Sequence, residues 1–429
     1  MSTWTRGIVV MLGVLGVAWL VASRVFHLQP MAFAQQFLRV VATPVASLLY
    51  RSDERKVADI TDRYRVGILP PAGASSLSSW QVLAGRVPGL ELLNREHIVE
   101  VADPAPFVYE TSTARFLSDF RHNYRLDEVF RGATDEYDSM LKLAAWVGTR
   151  FDHGTDEVPG GNQVCDPSAV VAAGASGKKY WCEIAARVMV HAANSVGWQA
   201  RIITGSRDGY TWEHAVAELW SNQFDKWIAI DTDFNVIYEE GGVPLSAFEL
   251  SAKGERLRDE KRLTVRNIAP AKASLPAKDL MPYYEYVHVD LRTDWCTRAL
   301  RAGSPAGGDL ATWWMARPSL PRILTARVRV DDPAKFDWHV NTVALHALDG
   351  RRQEDASLQI SIALAGYSPA FDHFETSIDG QAWQRVENAR YEVRLVPGDH
   401  FLQARVVTLA GNPGPASRVD LRLNSAVGS

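Results

Sequence analysis

A cysteine nucleophile needs a base to take its proton and a third group to hold that base in the right tautomer. The sequence offers one ordered set of such residues: Cys182, His214 and Asp231. Cys182 lies in "YWCEIAA" (180–186) and is one of three cysteines in 429 residues. A free thiol ionises near pH ~8.5, and a helix N-terminus or a neighbouring imidazolium stabilises its thiolate. The stretch "CEIAARVMVHAA" (182–193) carries apolar residues at helical spacing, so a helix is expected to begin at or near Cys182. Judged by its neighbours alone, Cys182 reads equally as a core residue, because unpaired cysteine packs like a small hydrophobe.

Two histidines compete as the base. His191 lies nine residues after Cys182 on the same expected helix. That is ~2.5 turns away, so its ring points elsewhere. His214 opens the apolar strand "HAVAELW" after the loop "RDGYTWE", and a strand end can present a side chain toward a helix terminus. Asp231 follows "KWIAI", 17 residues after His214, a separation that one hairpin closes with "SNQFD" as its turn. Asp233 projects to the same face if the strand continues, which makes it the alternate. An aspartate at a strand end also serves as a turn cap. With these groups assembled, the thiolate attacks an amide or ester carbonyl. Backbone N–H groups at the helix start hold the oxyanion, with the Trp181 indole as a further candidate donor. Water as the acceptor makes a hydrolase and an amine makes a transferase; the sequence leaves both open.

The elements that must position these residues follow the same order. "DEYDSMLKLAAWVGTRF" (135–151) has helical apolar spacing and an acidic first turn. A glycine-rich irregular stretch (152–179) then delivers the chain to Tyr180. After the cysteine helix, Asn194 and Gly197 suit a helix end and "ARIITG" suits a strand. The stretch from about Asp135 to Asn235 resembles the transglutaminase-like superfamily, whose core shares the papain-like fold. "YWCEIAARVMVHAANSVGWQARIITG" is similar to the family's nucleophile helix and its following strand, with Gly197, Ala200, Arg201 and Gly205 at the motif positions. "WEHAVAELWSNQFDKWIAIDTDFN" is similar to its histidine strand and its tryptophan-aspartate strand, here Trp227 and Asp231. The resemblance implies a catalytic triad of Cys182, His214 and Asp231, a helix N-terminus packed on an antiparallel sheet, and thioester chemistry.

The rest of the chain sets the context. A formal net charge of -4 lacks the basic face that nucleic-acid binding requires. No second histidine or cysteine stands at short spacing from His214, and no P-loop pattern occurs, so no metal or cofactor is expected. Gly7 to Ala22 is uncharged and bracketed by Arg6 and Arg24. As a helix it spans ~24 Å, which suits a signal peptide or a short anchor. The anchor is favoured because the small-x-small site at Ala32-Phe33-Ala34 lies well beyond the apolar run. Cys165 and Cys296 are then able to pair and leave Cys182 free, although sequence does not fix connectivity. The expected partners are a membrane, through the N-terminal helix, and a peptide, protein or envelope-polymer substrate.

Residues 31–64 read as helix interrupted near Pro44, Leu69–Gly89 as a loop, the charged run 253–262 as a solvated face, and 266–282 as a proline-bearing linker. From about Pro321 short strands alternate with "DG", "PG" and "GN" turns, the pattern of a β-sandwich. Residues 374–415 resemble immunoglobulin-like modules. The expected organisation is a signal anchor (1–30), a helical stalk and loop (31–90), a catalytic domain (91–265), a linker with strands (266–320) and an immunoglobulin-like sandwich (321–429). The expected fold class is α+β: a papain-like transglutaminase core with its nucleophile helix against an antiparallel sheet, an all-β sandwich, and an N-terminal transmembrane helix. The function expected is that of a membrane-anchored, extracytoplasmic cysteine hydrolase or acyltransferase acting on amide or peptide bonds. The alternative is a non-catalytic envelope scaffold or polysaccharide- or peptide-binding protein with a vestigial triad, in which Trp313-Trp314 and Tyr283-Tyr284 stack on sugar rings.

Overall fold

The computed structural model describes residues 64–70, 74–101, 107–111, 113–162, 164–207, 213–270, 272, 277–297, 312–315, 329–330 and 333–425. The expected anchor and, apart from Tyr64, the expected helix of residues 31–64 lie outside them, as do the side chains of Trp313 and Trp314. Among the described residues, no helix is long and apolar enough to cross a membrane.

The helix Glu136–Gly148 starts where its acidic cap predicts. The Asp135 side chain accepts from the Asp138 amide, and Tyr137, Met140, Leu141, Leu143, Ala144 and Val147 face inward. It packs against the helix Cys182–Ser195, which lies across the strands Ala200–Ser206 and His214–Ser221. These strands belong to a six-stranded sheet in the order Lys226–Ile230, His214–Ser221, Ala200–Ser206, Tyr286–Asp290, Thr312–Met315, Arg329–Val330. The strands from Lys226–Ile230 through Thr312–Met315 pair antiparallel; Thr312–Met315 and Arg329–Val330 pair parallel.

Helices cover one face of this sheet, with Ile184, Val188, Ile202, Ala217, Ile228 and Ile230 in one core. The other face is buried too: Ile203, Val216, Trp220, Trp227 and Ala229 meet Leu250, Met281, Phe336 and Trp338. Burial on both faces explains why "HAVAELW" is nearly continuous in apolar residues where a half-exposed strand would alternate.

Arg201 lies at the seam with the C-terminal segment and is fully buried. Its guanidinium donates to Glu218 (2.6 Å), Asp337 (2.9 Å) and the Phe336 carbonyl (2.6 Å), and lies over the rings of Trp227 and Trp338. The Trp227 indole donates to the Trp338 carbonyl at 2.8 Å. One tryptophan and one arginine of the core thus hold the chain that enters the C-terminal layers.

Those layers are two antiparallel sheets around a common apolar core that includes Leu345, Ile360, Leu364, Leu402, Val406, Val419 and Leu421. The C-terminal region is therefore all-β, consistent with an immunoglobulin-like module. Its sheets also recruit the N-terminal side of the described chain. Arg65–Gly67 pairs with Leu358–Tyr367, and Leu90–Leu92 pairs with Ser417–Leu423.

The stretch expected as a loop at Leu69–Gly89 contains a helix, Ser76–Arg86, that packs on the strand Thr342–Arg352. Its serines are caps rather than turn formers: Ser75 and Ser78 form a capping box, and the Trp80 indole donates to the Leu345 carbonyl at 2.8 Å. The charged run 253–262 lies on a π-helical and an α-helical turn, with Gly254 and Leu257 buried. The expected linker at 266–282 is partly ordered against the core: Leu263–Asn267 is a strand paired with Val236–Glu240.

Candidate active site

Cys182 is the first residue of its helix, with Trp181 as N-cap and no side chain capping the end. The amides of Ile184 and Ala185 turn back to the Trp181 carbonyl (3.0 and 3.2 Å), and those of Cys182 and Glu183 belong to the turn that has no intrahelical acceptor. The thiol is half-buried and free, because Cys165 and Cys296 form a disulfide with their Cα atoms 5.2 Å apart. That pairing leaves Cys182 as the one unpaired thiol of the chain. Residues 152–156 run beside 178–180: Tyr180 donates to the Asp152 carbonyl and Gly154 to the Tyr180 carbonyl, both at 3.0 Å. A side chain at Gly154 would put its Cβ 2.4 Å from Lys179 Cβ, so this approach requires glycine. The pairing sets His153 alongside the nucleophile.

His214 is buried at the start of its strand, opposite Gly205. Its ring stacks on Phe234 (centroids 4.3 Å apart, planes at 9°) and is walled by Tyr283 at 5.4 Å. Nε2 lies 2.7 Å from Asp231 Oδ2. An acidic acceptor there fixes the tautomer with its proton on Nε2 and leaves Nδ1 for Cys182. Burial is the strongest single influence on the imidazole and disfavours its charged form. The charge and hydrogen bond of Asp231, then the Cys182 side chain, outweigh it, and the pKa is pushed up to about 10.

The strand ends at Ile230, and a turn rather than further strand carries both aspartates. Asp231 bridges Val236 through the main chain (3.1 and 3.0 Å), and its Oδ1 accepts from the Phe234 amide at 2.9 Å. Asn235 closes the turn in the left-handed region (φ 62°), where asparagine is tolerated. The Asn235 side chain donates to the carbonyls of Ala269 and Lys272 and accepts from the Ala269 amide. Lys272 in turn donates to the carbonyls of Gly148 (2.9 Å) and Thr232 (3.3 Å). The segment expected as a linker is thus the clamp that holds the acidic turn against the helix Glu136–Gly148.

The turn separates the two carboxylates. Asp231 serves His214 on Nε2, whereas Asp233 swings toward the thiol: Cys182 Sγ, a His214 ring nitrogen and an Asp233 carboxylate oxygen lie within 4.8 Å of one another. The three could therefore converge on one ion, although no short-range spacing in the sequence pairs them. Asp233 is itself buried and bonded to Nδ1 of the half-exposed His153 at 2.8 Å. Burial, and then the charge of Asp231, pushes its carboxyl above the usual range, while His153 pulls the other way.

His191 is packed between Phe116 (5.3 Å) and Trp295 (5.6 Å), away from the site as its spacing predicts. Trp181 is half-buried against the helical core. Tyr284, one of the two tyrosines considered for sugar stacking, is a core residue. Sequence reasoning missed His153 and Phe234. The stacking of Phe234 follows from the turn conformation, and His153 stands 80 residues from its partner, so no local pattern marks it.

No curated protein matches the chain. The sequence model described as "Transglutaminase-like superfamily" matches residues 124–232, a span that includes Cys182, His214 and Asp231. From Tyr124 to Thr232, this chain carries a transglutaminase-like superfamily domain.

Proposed function

We propose that the protein is a cysteine hydrolase or acyltransferase acting on amide or peptide bonds, with Cys182 as nucleophile, His214 as acid and base, and Asp231 as its orienting partner. The observation that carries this reading is the buried imidazole held on Nε2 by a carboxylate, with a free helix-start thiol on its other side. The Cys182 proton passes to His214 Nδ1 and the thiolate adds to the carbonyl carbon. First-turn amides of the helix face the oxyanion that forms. His214 returns the proton to the leaving amine as the C–N bond breaks, giving a thioester. It then deprotonates water or an acceptor amine, which attacks the thioester and releases Cys182. The all-β C-terminal region would bind or position the substrate.

We further propose that the protein is membrane-anchored and extracytoplasmic, on the strength of the uncharged run Gly7–Ala22 and of a disulfide, a bond characteristic of oxidising compartments.

The test is the alkylation rate of Cys182 by iodoacetamide at neutral pH. The native chain is expected to react faster than a free thiol, and His214→Ala to abolish the excess. Ordinary reactivity, unchanged by that substitution in a folded protein, refutes the enzyme and leaves the scaffold. Sedimentation with membranes after an alkaline wash tests the anchor.

A further inference from the structure

We propose that the same pocket is a switch-off site for a transition metal: Cys182 Sγ, His214 Nδ1 and an Asp233 carboxylate oxygen together bind one divalent ion of borderline softness, Zn²⁺ foremost. The proposal rests on the Cys182–His214 pairing of the preceding section and adds a role for Asp233, which that mechanism does not use.

A carboxylate beside a nucleophilic sulfur needs explaining, since a like charge disfavours the thiolate. The triad already has its acid in Asp231, on the far nitrogen of the ring. Asp233 is instead buried on the thiol side, within 4.8 Å of both Cys182 and His214. A tetrahedral zinc site with ordinary bond lengths sets its ligand atoms ~3.5 Å apart. The three donors thus need to close by at most ~1.3 Å around the ion, a movement within the range of side-chain rotation at Cys182 and Asp233.

The surroundings are those of a supported metal site. Histidine ligands characteristically donate their other ring N–H to a carboxylate, and Asp231 accepts from His214 Nε2 at 2.7 Å. Ligating carboxylates are themselves hydrogen-bonded, and His153 Nδ1 holds Asp233 Oδ2 at 2.8 Å. Thiolate and imidazole select zinc, copper or cobalt over calcium or magnesium. On binding, the thiol proton leaves to solvent and the S–H bond is replaced by a metal–sulfur bond. Water fills the fourth position on the side where His153 is half-exposed. The ion occupies the nucleophile, so the metal-bound form is inactive and protected from alkylation.

The full-length chain titrated with Co²⁺ alone is expected to develop a thiolate-to-cobalt charge-transfer band at one ion per chain. Zn²⁺ should displace the cobalt, and either ion should block iodoacetamide. Cys182→Ser removes the band, and Asp233→Asn weakens Co²⁺ binding by about tenfold or more while its metal-free thiol still alkylates. Circular dichroism checks that variant's fold. Should it not fold, His153→Gln, which alters only the outer support, is expected to weaken binding by roughly tenfold. No charge-transfer band at saturating Co²⁺, or unchanged affinity in the folded variant, overturns the metal site. An acyl-enzyme without a cobalt band sinks the metal proposal and leaves the catalytic one. The band without any thiol activation does the reverse.

Discussion

Gly205 connects the fold to the site, and replacing it with alanine tests that connection. It pairs with His214 across the sheet, and a Cβ there would lie 2.2 Å from the Tyr283 carbonyl oxygen and 3.2 Å from its carbon. Carbon and oxygen in ordinary contact stand more than ~1 Å farther apart, so the Tyr283 main chain must retreat by about that much. Tyr283 walls the His214 ring at 5.4 Å and Phe234 at 6.1 Å, and the turn that bears it is anchored by the buried Met281 and Tyr284. Overpacking of this kind costs about 1–3 kcal/mol. With a urea dependence of ~2 kcal/mol per molar, the unfolding midpoint should fall by roughly 0.5–1.5 M. A displacement near 1 Å beside the base is able to cost up to about a hundredfold in reactivity, so alkylation of Cys182 should slow along with the loss of stability. Gly85→Ala is the control. Gly85 is exposed, within a helix, with nothing near the added Cβ, and the change should stabilise by ~0.5–1 kcal/mol without touching the thiol. A Gly205→Ala chain with the parent's midpoint and the parent's alkylation rate would show that the Tyr283 contact does not constrain His214.

Arg201→Met removes the cation between the buried Glu218 and the half-buried Asp337 and should destabilise by about 3–5 kcal/mol in chemical denaturation; a loss under 1 kcal/mol would mean that the carboxylates neutralise themselves at little cost. The pair Cys165→Ser and Cys296→Ser frees a closed span of 131 residues and should cost about 2–5 kcal/mol, measured against the parent under non-reducing conditions. Asp231→Asn keeps an oxygen near His214 Nε2 but removes the charge that favours the imidazolium. Cys182 alkylation at neutral pH should drop about tenfold or more, and an unchanged rate would show that Asp231 only caps its turn.

Much of the site's scaffold was legible in the sequence because the signals are local. The helix at Cys182 is written in apolar residues three and four apart, the helix at Glu136 in its aspartate cap, and the hairpin between His214 and Asp231 in two apolar runs joined by five polar or aromatic residues. Residues 69–89 misled for the same reason. Their serines and glycines satisfy turn rules, and only packing of Trp80 and Leu83 on the C-terminal sheet makes helix the better outcome. Residues 266–282 read as linker because proline and alanine carry no periodicity, whereas their backbone carbonyls and Lys272 clamp the acidic turn. Asp231 was expected on His214 with Asp233 as its alternate, but the separate placement of Asp233 beside the thiol was beyond reach. Alternation places both on one face, whereas the turn closed by the left-handed Asn235, held by a segment more than thirty residues away, seats Asp231 on His214 Nε2 and Asp233 near Cys182.

By itself, then, the sequence determined the identity of the thiol, the imidazole and the helix and strands that bear them, since each depends on side chains a few residues apart. The tertiary structure seats the expected Asp231 on His214, and it alone decided that Asp233 lies beside the thiol, that His153 supports it, and that both chain ends of the described region meet in one β-layered core. Those outcomes depend on contacts across tens to hundreds of residues, where hydrogen-bond geometry and burial choose among arrangements that local propensity leaves equal.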